Sequence, residues 1–497
     1  MAMTRESSEY FGQVAGQWDS LRSGFFSEAV REAAIQKAYL RREMTVADIG
    51  AGTGFMSAGL APIVRKVHVV DGSAAMIEVA TKNLAQFSNI EYHEADGVSL
   101  PFEDQSLDAA FANMYLHHTP DPLAAIREIV RVLKPGGRLV ITDLDAHYYA
   151  WLKEEMADVW QGFDRNQVRA WFQEAGLVNV IVDCTGQSCC AESSNPVISN
   201  EQGSEAKISV FVATGTRRIA MRAAVQENYA ATANANRVDP DASAITSTAG
   251  CCSETAATSS KESCCAPGAS GGSSCCSGNR YEDVAIKPDY SGAELSAAPK
   301  EAADISLGCG NPTALAALKP GEVVVDIGSG GGLDAFLAAG KVGASGRVIG
   351  VDMTPAMLER ARASAQRNGV ANVEFRQGYA EALPVGDGEV DVIISNCVIN
   401  LTEDKGHVFR EAFRVLKPGG RLEVSDIVTS GPMPLKARES ATGWSECVTG
   451  ALPEAEYVDL IAQAGFENST IRRSPSMGEA FGISVYSIIA SARKPAA

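Results

Sequence analysis

The stretch VADIGAGTGF at residues 46–55 returns as VVDIGSGGGL at 324–333. In each copy an apolar, strand-like run ends in an aspartate and passes into closely spaced glycines. Glycine permits a sharp turn whose backbone N–H groups can approach a ligand at the start of a helix. The pattern predicts a strand, a binding turn and a helix, twice over. Further along, the two halves keep step. VLKPGGRLVITDL at 132–144 matches VLKPGGRLEVSDI at 415–427, WFQEAGL at 171–177 matches LIAQAGF at 460–466, and ISVFVATGTR at 208–217 matches ISVYSIIASAR at 483–493. A period this long marks a duplicated domain rather than a solenoid.

Within the second half, short Val- and Ile-rich runs at 323–328, 347–352, 373–378, 391–396 and 421–426 alternate with helical stretches such as 354–369. Buried apolar runs alternating with helices predict a parallel sheet covered on both faces. A hairpin-like pair of strands should close each half after its AGL or AGF turn. The expected fold class is α/β: two Rossmann-like domains, each a mostly parallel seven-stranded sheet with helices on both faces. The expected boundaries are 1–217, then 218–290, then 291–497. The middle segment opens with MRAAVQENYAATA at 221–233, which echoes SSEYFGQVAGQW at 7–18. Both are read as lid helices over their respective domains.

A chain of 497 residues with 45% hydrophobic content can bury sizeable cores. Its net charge of −18 argues against nucleic acid or an anionic membrane as partner. Neither a basic-then-apolar leader nor an apolar run of about eighteen residues is present. A cytoplasmic monomer that does not engage a membrane is expected. In a reducing compartment the twelve cysteines should be thiols, which favours metal binding or catalysis over a disulfide framework. Half of them form the pairs Cys251/Cys252, Cys264/Cys265 and Cys275/Cys276, in a low-complexity stretch that cannot build a core.

The candidate cofactor residues are Asp48, Gly50 and Gly52 in the first loop and Asp326, Gly328 and Gly330 in the second. A dinucleotide loop would want glycine at its sixth position, where Phe55 and Leu333 stand instead. The second strand of each half ends in a carboxylate, Asp71 or Asp352, suited to a ribose diol and to a ligand with positive charge nearby. Together these features resemble the class I methyltransferase fold that binds S-adenosylmethionine (SAM), in both halves. The resemblance implies that Asp96 and Glu381 lie near the adenine, that Met353 flanks the ribose carboxylate, and that Asn113 and Asn396 end the fourth strands.

The halves differ at the carboxyl edge of the sheet. FANMYLHH (111–118) aligns with ISNCVINL (394–401), so Met114 faces Cys397, while Cys309 and Cys447 have no counterparts in the first half. SLGCGNP, GVDMTPAM, SNCVINL and CVTGAL, in this order over about residues 290–470, resemble the arsenite methyltransferase family. The resemblance implies that Cys309, Cys397 and Cys447 bind As(III) while SAM supplies the methyl group. It also implies arsenite or methylarsenite as substrate, thioredoxin or glutathione as thiol reductant, and a role in detoxification. It implies as well an upstream cysteine, often an adjacent pair, that receives the metalloid or exchanges disulfides; Cys275 with Cys276 is the nearest candidate and Cys264 with Cys265 the next. Soft thiolates suit a soft metalloid, and this wide spacing does not resemble a zinc site. His407 in DKGHVF reads as a solvated helix residue.

The first half lacks the trio. Its Cys184, Cys189 and Cys190 are expected in a loop between its last two strands, as either a second metalloid site or unengaged thiols. His117 and His118, just after its fourth strand, offer either a general base or a polar rim. The first domain is open between an active methyltransferase, a SAM-binding regulator and a structural partner. For the whole chain two other readings stand beside the arsenite enzyme: a metalloid-sequestering protein on SAM-fold scaffolds, and a methyltransferase for another small molecule.

Overall fold

A computed structural model describes residues 5–192, 205–235, 284, 290–303 and 308–496. The first half forms β1 (Thr45–Ile49), β2 (Lys66–Asp71), β3 (Ile90–Glu94), β4 (Leu107–Asn113), β5 (Leu133–Leu144), β6 (Leu177–Glu192) and β7 (Glu205–Arg217). They order as β3-β2-β1-β4-β5-β7-β6. The first five run parallel, and β7 is antiparallel to both its neighbours.

The second half repeats the plan with β8 (Val323–Ile327), β9 (Arg347–Asp352), β10 (Val373–Gln377), β11 (Val390–Asn396), β12 (Leu416–Thr429), β13 (Glu467–Arg473), β14 (Gly478–Ala480) and β15 (Ile483–Arg493). The order is β10-β9-β8-β11-β12-β15-β13, with β14 added against β15. Seven strands were expected in each sheet, and the second has an eighth. Phe481 and Gly482 both take positive φ, 56° and 72°, and make a two-residue turn that folds β14 back onto β15.

The cores follow from the apolar runs. All five residues of β1 are buried, and the helix Pro122–Val132 lays Ile126 and Ile129 against the sheet after an Asp121 cap with proline in its first turn. The corresponding second-half helix, Lys405–Val415, is capped by Asp404. Among the described residues no helix is long and apolar enough to cross a membrane.

One expectation fails in β6. The cysteine run was read as a loop, yet the strand continues to Glu192, with Cys189 opposite Ile208 and Cys190 opposite Lys207. A register shift between Cys184 and Ser188 absorbs the extra residues, and pairing with β7 then resumes. An earlier shift in the same strand, at Asn179, projects that residue into the second half. Its Oδ1 accepts the Lys405 backbone N–H at 2.8 Å, adding a cap to the helix Lys405–Val415. Ile181 packs into the second domain's core. Nearby, the buried Arg138 guanidinium donates to the buried Glu456 carboxylate at 2.8 Å. The sheets are thus docked by packing and by a buried ion pair.

The two helical segments read as lids each border a cleft. Arg5–Val14 and Trp18–Phe25 supply Phe11 and Trp18 to the first cleft. Arg222–Ala235 lies over the second, where Gln226 donates to the Met353 carbonyl at 2.9 Å and the Tyr229 hydroxyl to that of Ser445 at 3.2 Å.

Candidate active sites

In the second half the glycine turn leaves β8 and bounds a cleft of about 1050 Å³. Gly328 has φ 72°, and a Cβ there would fall 2.2 Å from Val398 Cγ2. The N–H groups of Gly330 and Thr354 donate to the two oxygens of Asp352, at 2.9 and 2.8 Å. The carboxylate is thereby fixed at the end of β9, and each oxygen keeps a lone pair for a ligand hydroxyl. Burial raises its pKa. Asp326 is buried with its Oδ2 unpartnered, and burial followed by the Asp334 and Asp352 carboxylates holds it well above the usual range. An orphaned buried carboxylate oxygen beside a glycine turn fits a ligand that carries positive charge or hydrogen-bond donors.

Met353, Glu381 and Asn396 line the same cleft. Glu381 is engaged by Arg222 of the lid helix, whose guanidinium donates to it at 2.8 Å. Asn396 does structural work: its Oδ1 accepts the Cys309 N–H at 3.0 Å, and its Nδ2 donates to the Gly310 carbonyl at 2.9 Å. It pins the cysteine-bearing turn to the end of β11.

The three cysteines expected to act together are close neighbours. Cys309 and Cys397 are joined by a disulfide with Cα atoms 5.9 Å apart, and the buried Cys447 thiol donates to the Cys397 carbonyl at 3.0 Å. Burial, then Asp426, pushes the Cys447 thiol pKa up. Cys397 takes φ 59°, but its counterpart Met114 takes φ 51°. That strand-end kink therefore belongs to the fold, not to the sulfur chemistry. Cys275 and Cys276 lie outside the described residues. His407 is exposed on its helix, as expected.

The first half builds an equivalent cleft of about 1170 Å³. Gly52 and Ser73 donate to the two oxygens of Asp71 at 2.8 and 2.9 Å. Asp48 accepts from the Ser57 N–H and hydroxyl on Oδ2, at 2.9 and 2.6 Å, and leaves Oδ1 without a partner. Burial pushes its pKa up to about 7. A Cβ on Gly50 would stand 2.4 Å from Tyr115 Cδ2, so the turn and the residue after Met114 are closely fitted. Asp96 and Asn113 line the cleft, and Asn113 accepts the Thr142 hydroxyl at 2.7 Å.

Two carboxylates that the sequence reading missed stand beside the histidine pair. His117 Nδ1 lies 2.6 Å from Asp143 Oδ1, and its Nε2 lies 3.7 Å from Asp158 Oδ1. Burial opposes the charge on His117, yet Asp143 and Asp158 outweigh it and raise the pKa to about 9. Burial and the His117 charge keep His118 well below its ordinary value. Asp143 occupies the position of Asp426 in the repeated VITDL and EVSDI segments, so the repeat carried a signal for it. Asp158 sits in a non-repeated connection and had none.

Residues 47–141 and residues 318–465 each match a family model described as a methyltransferase domain. The chain is a tandem of two methyltransferase domains. This tandem methyltransferase is 48% identical over 175 residues to the arsenite methyltransferase of Halobacterium salinarum, covering 35% of this chain and 45% of that protein. It is 42% identical over 191 residues to the arsenite methyltransferase of Aquipseudomonas alcaligenes, covering 37% and 55%. A crystal structure of an arsenic(III) S-adenosylmethionine methyltransferase from Chlamydomonas reinhardtii is 35% identical with a TM-score of 0.37, covering 41% of this chain and 73% of that one. The chain spans about half the length of the curated relatives it matches.

Proposed function

We propose that the chain methylates trivalent arsenic with SAM, in a catalytic domain spanning residues 291–497 whose arsenic ligands are Cys309, Cys397 and Cys447. The observation that carries this reading is the convergence of three cysteines from separate segments at the carboxyl edge of one sheet, with Cys397 lining the glycine-turn cleft. Similarity to arsenite methyltransferases over part of the chain supports the choice of substrate.

When bound, SAM supplies an electrophilic methyl group on a sulfonium sulfur. Asp352 would hold the ribose hydroxyls, and the unpartnered oxygen of Asp326 would meet the positive end of the ligand. Arsenite needs three thiols, so the Cys309–Cys397 disulfide must first take up two electrons and two protons from a thiol reductant such as thioredoxin or glutathione, which leaves oxidised. Each thiol then condenses with an arsenic hydroxyl and releases water. Because S–H and As–OH are exchanged for As–S and water, the raised thiol pKa of Cys447 does not oppose the step. The arsenic lone pair remains free as the nucleophile, and no protein base is required. Within this reading Cys275 and Cys276 deliver metalloid or exchange disulfides, and the outcome is detoxification.

The test is mass spectrometry of full-length protein incubated with arsenite, SAM and a dithiol. Methylated arsenic and S-adenosylhomocysteine are expected from the parent, while Cys447→Ser should lose methylation and still bind SAM. Bound but unmethylated arsenic in the parent, or near-parental turnover by Cys447→Ser, would overturn the proposal.

A further inference from the structure

At the carboxyl edge of the first sheet Met114 stands where the second has Cys397. The first domain carries a different donor set at the same edge. We infer that the first domain binds a divalent transition-metal ion of the zinc class between His117, His118 and Asp158.

Geometry makes the first argument. One ligand atom from each residue lies within 4.8 Å of the others. Asp158 Oδ1 is 3.7 Å from His117 Nε2 and 3.7 Å from His118 Nδ1, beyond hydrogen-bond length in both directions. Two ligands held at about 2.1 Å by a tetrahedral ion stand about 3.4 Å apart, so the two Asp158–histidine separations need to shorten by only a few tenths of an ångström around an ion. Asp158 follows Ala157, whose φ of 57° turns the chain just before it.

Orientation makes the second. The Nδ1–H of His117 donates to Asp143, a fully buried carboxylate that also accepts the backbone N–H groups of Leu116 and Leu144, at 2.9 and 2.7 Å. This orients the ring so that Nε2 faces Asp158, where an incoming ion would displace the proton that Nε2 carries in the charged form. A carboxylate behind a metal-binding histidine is the usual outer support of such sites. His118 Nδ1 now faces the Ala157 carbonyl at 3.3 Å, and binding requires it to exchange that contact for the ion, its proton moving to Nε2.

Charge makes the third. Two buried carboxylates, Asp143 and Asp158, face one another across His117, and the other cation acting on Asp158, Lys153, is exposed on the surface. A dication would answer both carboxylates at once. The second domain has no equivalent: Asn400 and Leu401 replace the histidines, and Asp426 accepts the Tyr457 hydroxyl at 3.0 Å instead. His117, His118 and Asp158 also line the cleft that holds Asp48 and the first glycine turn, so a fourth ligand position would open towards the SAM side. Nitrogen and carboxylate donors with one open position suit a catalytic rather than a structural ion.

The experiment is a Co2+ titration of the full chain carrying serine at the six paired cysteines of residues 250–279. A non-reducing buffer keeps Cys309 and Cys397 joined. One equivalent should bind with visible d–d bands clearly stronger than those of aqueous Co2+, Zn2+ should displace it, and Zn2+ should raise the melting temperature. Asp158→Asn and His118→Asn should each weaken binding at least about tenfold, and Asp143→Asn by about 10- to 100-fold, with circular dichroism confirming the fold. Absence of uptake below about 1 mM, unchanged binding in folded Asp158→Asn, or a spectrum made only of thiolate charge-transfer bands would overturn the assignment.

Discussion

Gly330→Ala separates the role of the glycine turn in folding from its role in holding a ligand. Gly330 has φ 49°, yet a Cβ there meets nothing within 4 Å, because it opens onto the cleft. The substitution costs about 1–2 kcal/mol of left-handed backbone strain. That strain is present with and without ligand and cancels from the binding difference. The added methyl, however, takes space beside the Asp352 carboxylate, and a loss of at least tenfold in affinity for SAM, about 1.4 kcal/mol, is expected at that site. Gly328→Ala is the contrasting case. Its Cβ would stand 2.2 Å from Val398 Cγ2 and 2.8 Å from Val398 Cβ, a clash that rotating the valine cannot clear. Strain plus overpacking of about 1–3 kcal/mol should remove about 2–5 kcal/mol of stability. Calorimetric titration with SAM, beside guanidinium unfolding, reads both quantities. If Gly330→Ala bound SAM at every parental site with parental affinity, the cradle role of the turn would be wrong.

Two further outcomes follow from buried groups. Glu456→Ala strips Arg138 of its carboxylate partner and should destabilise the folded chain by about 3–5 kcal/mol in denaturant unfolding, whereas a double replacement of both residues by apolar side chains should cost far less; equal losses would remove the ion pair from the account. Asp48 has its folded pKa raised to about 7 by burial, against an ordinary 3.8, so ionising it opposes folding. The penalty begins as pH rises past 3.8 and is complete above about 7. Without ligand, Asp48→Asn should therefore melt higher than the parent at pH 8, by at most about 4 kcal/mol, and the gap should close towards pH 4. A gap independent of pH in scanning calorimetry would mean that the carboxylate is well solvated.

The sheet plan was legible because it is written twice. The VADIG and VVDIG strands, the KPGG turns and the closing hairpins each confirm the other copy, and buried parallel strands need unbroken apolar runs that leave little ambiguity. The eighth strand was less visible, since it depends on a turn at Phe481 and Gly482 where a non-glycine residue accepts positive φ. The cysteine run in β6 misled for a related reason: small polar residues resemble a loop until a register shift lets them pair. At the sites, residues in repeated motifs were found and residues brought in by tertiary structure were not. Asp158 has no sequence partner, and Asn396 could be placed at the strand end but not recognised as the anchor of Cys309. Glu381 was read as facing a ligand, while Arg222 arrives from the lid helix to engage it.

Asn179 gives the docking of the halves a historical meaning. Its side chain completes the start of a helix in the other copy, and Arg138 neutralises a carboxylate there. A lineage that discarded the first copy would inherit a helix missing one of its caps and a buried Glu456 without its guanidinium.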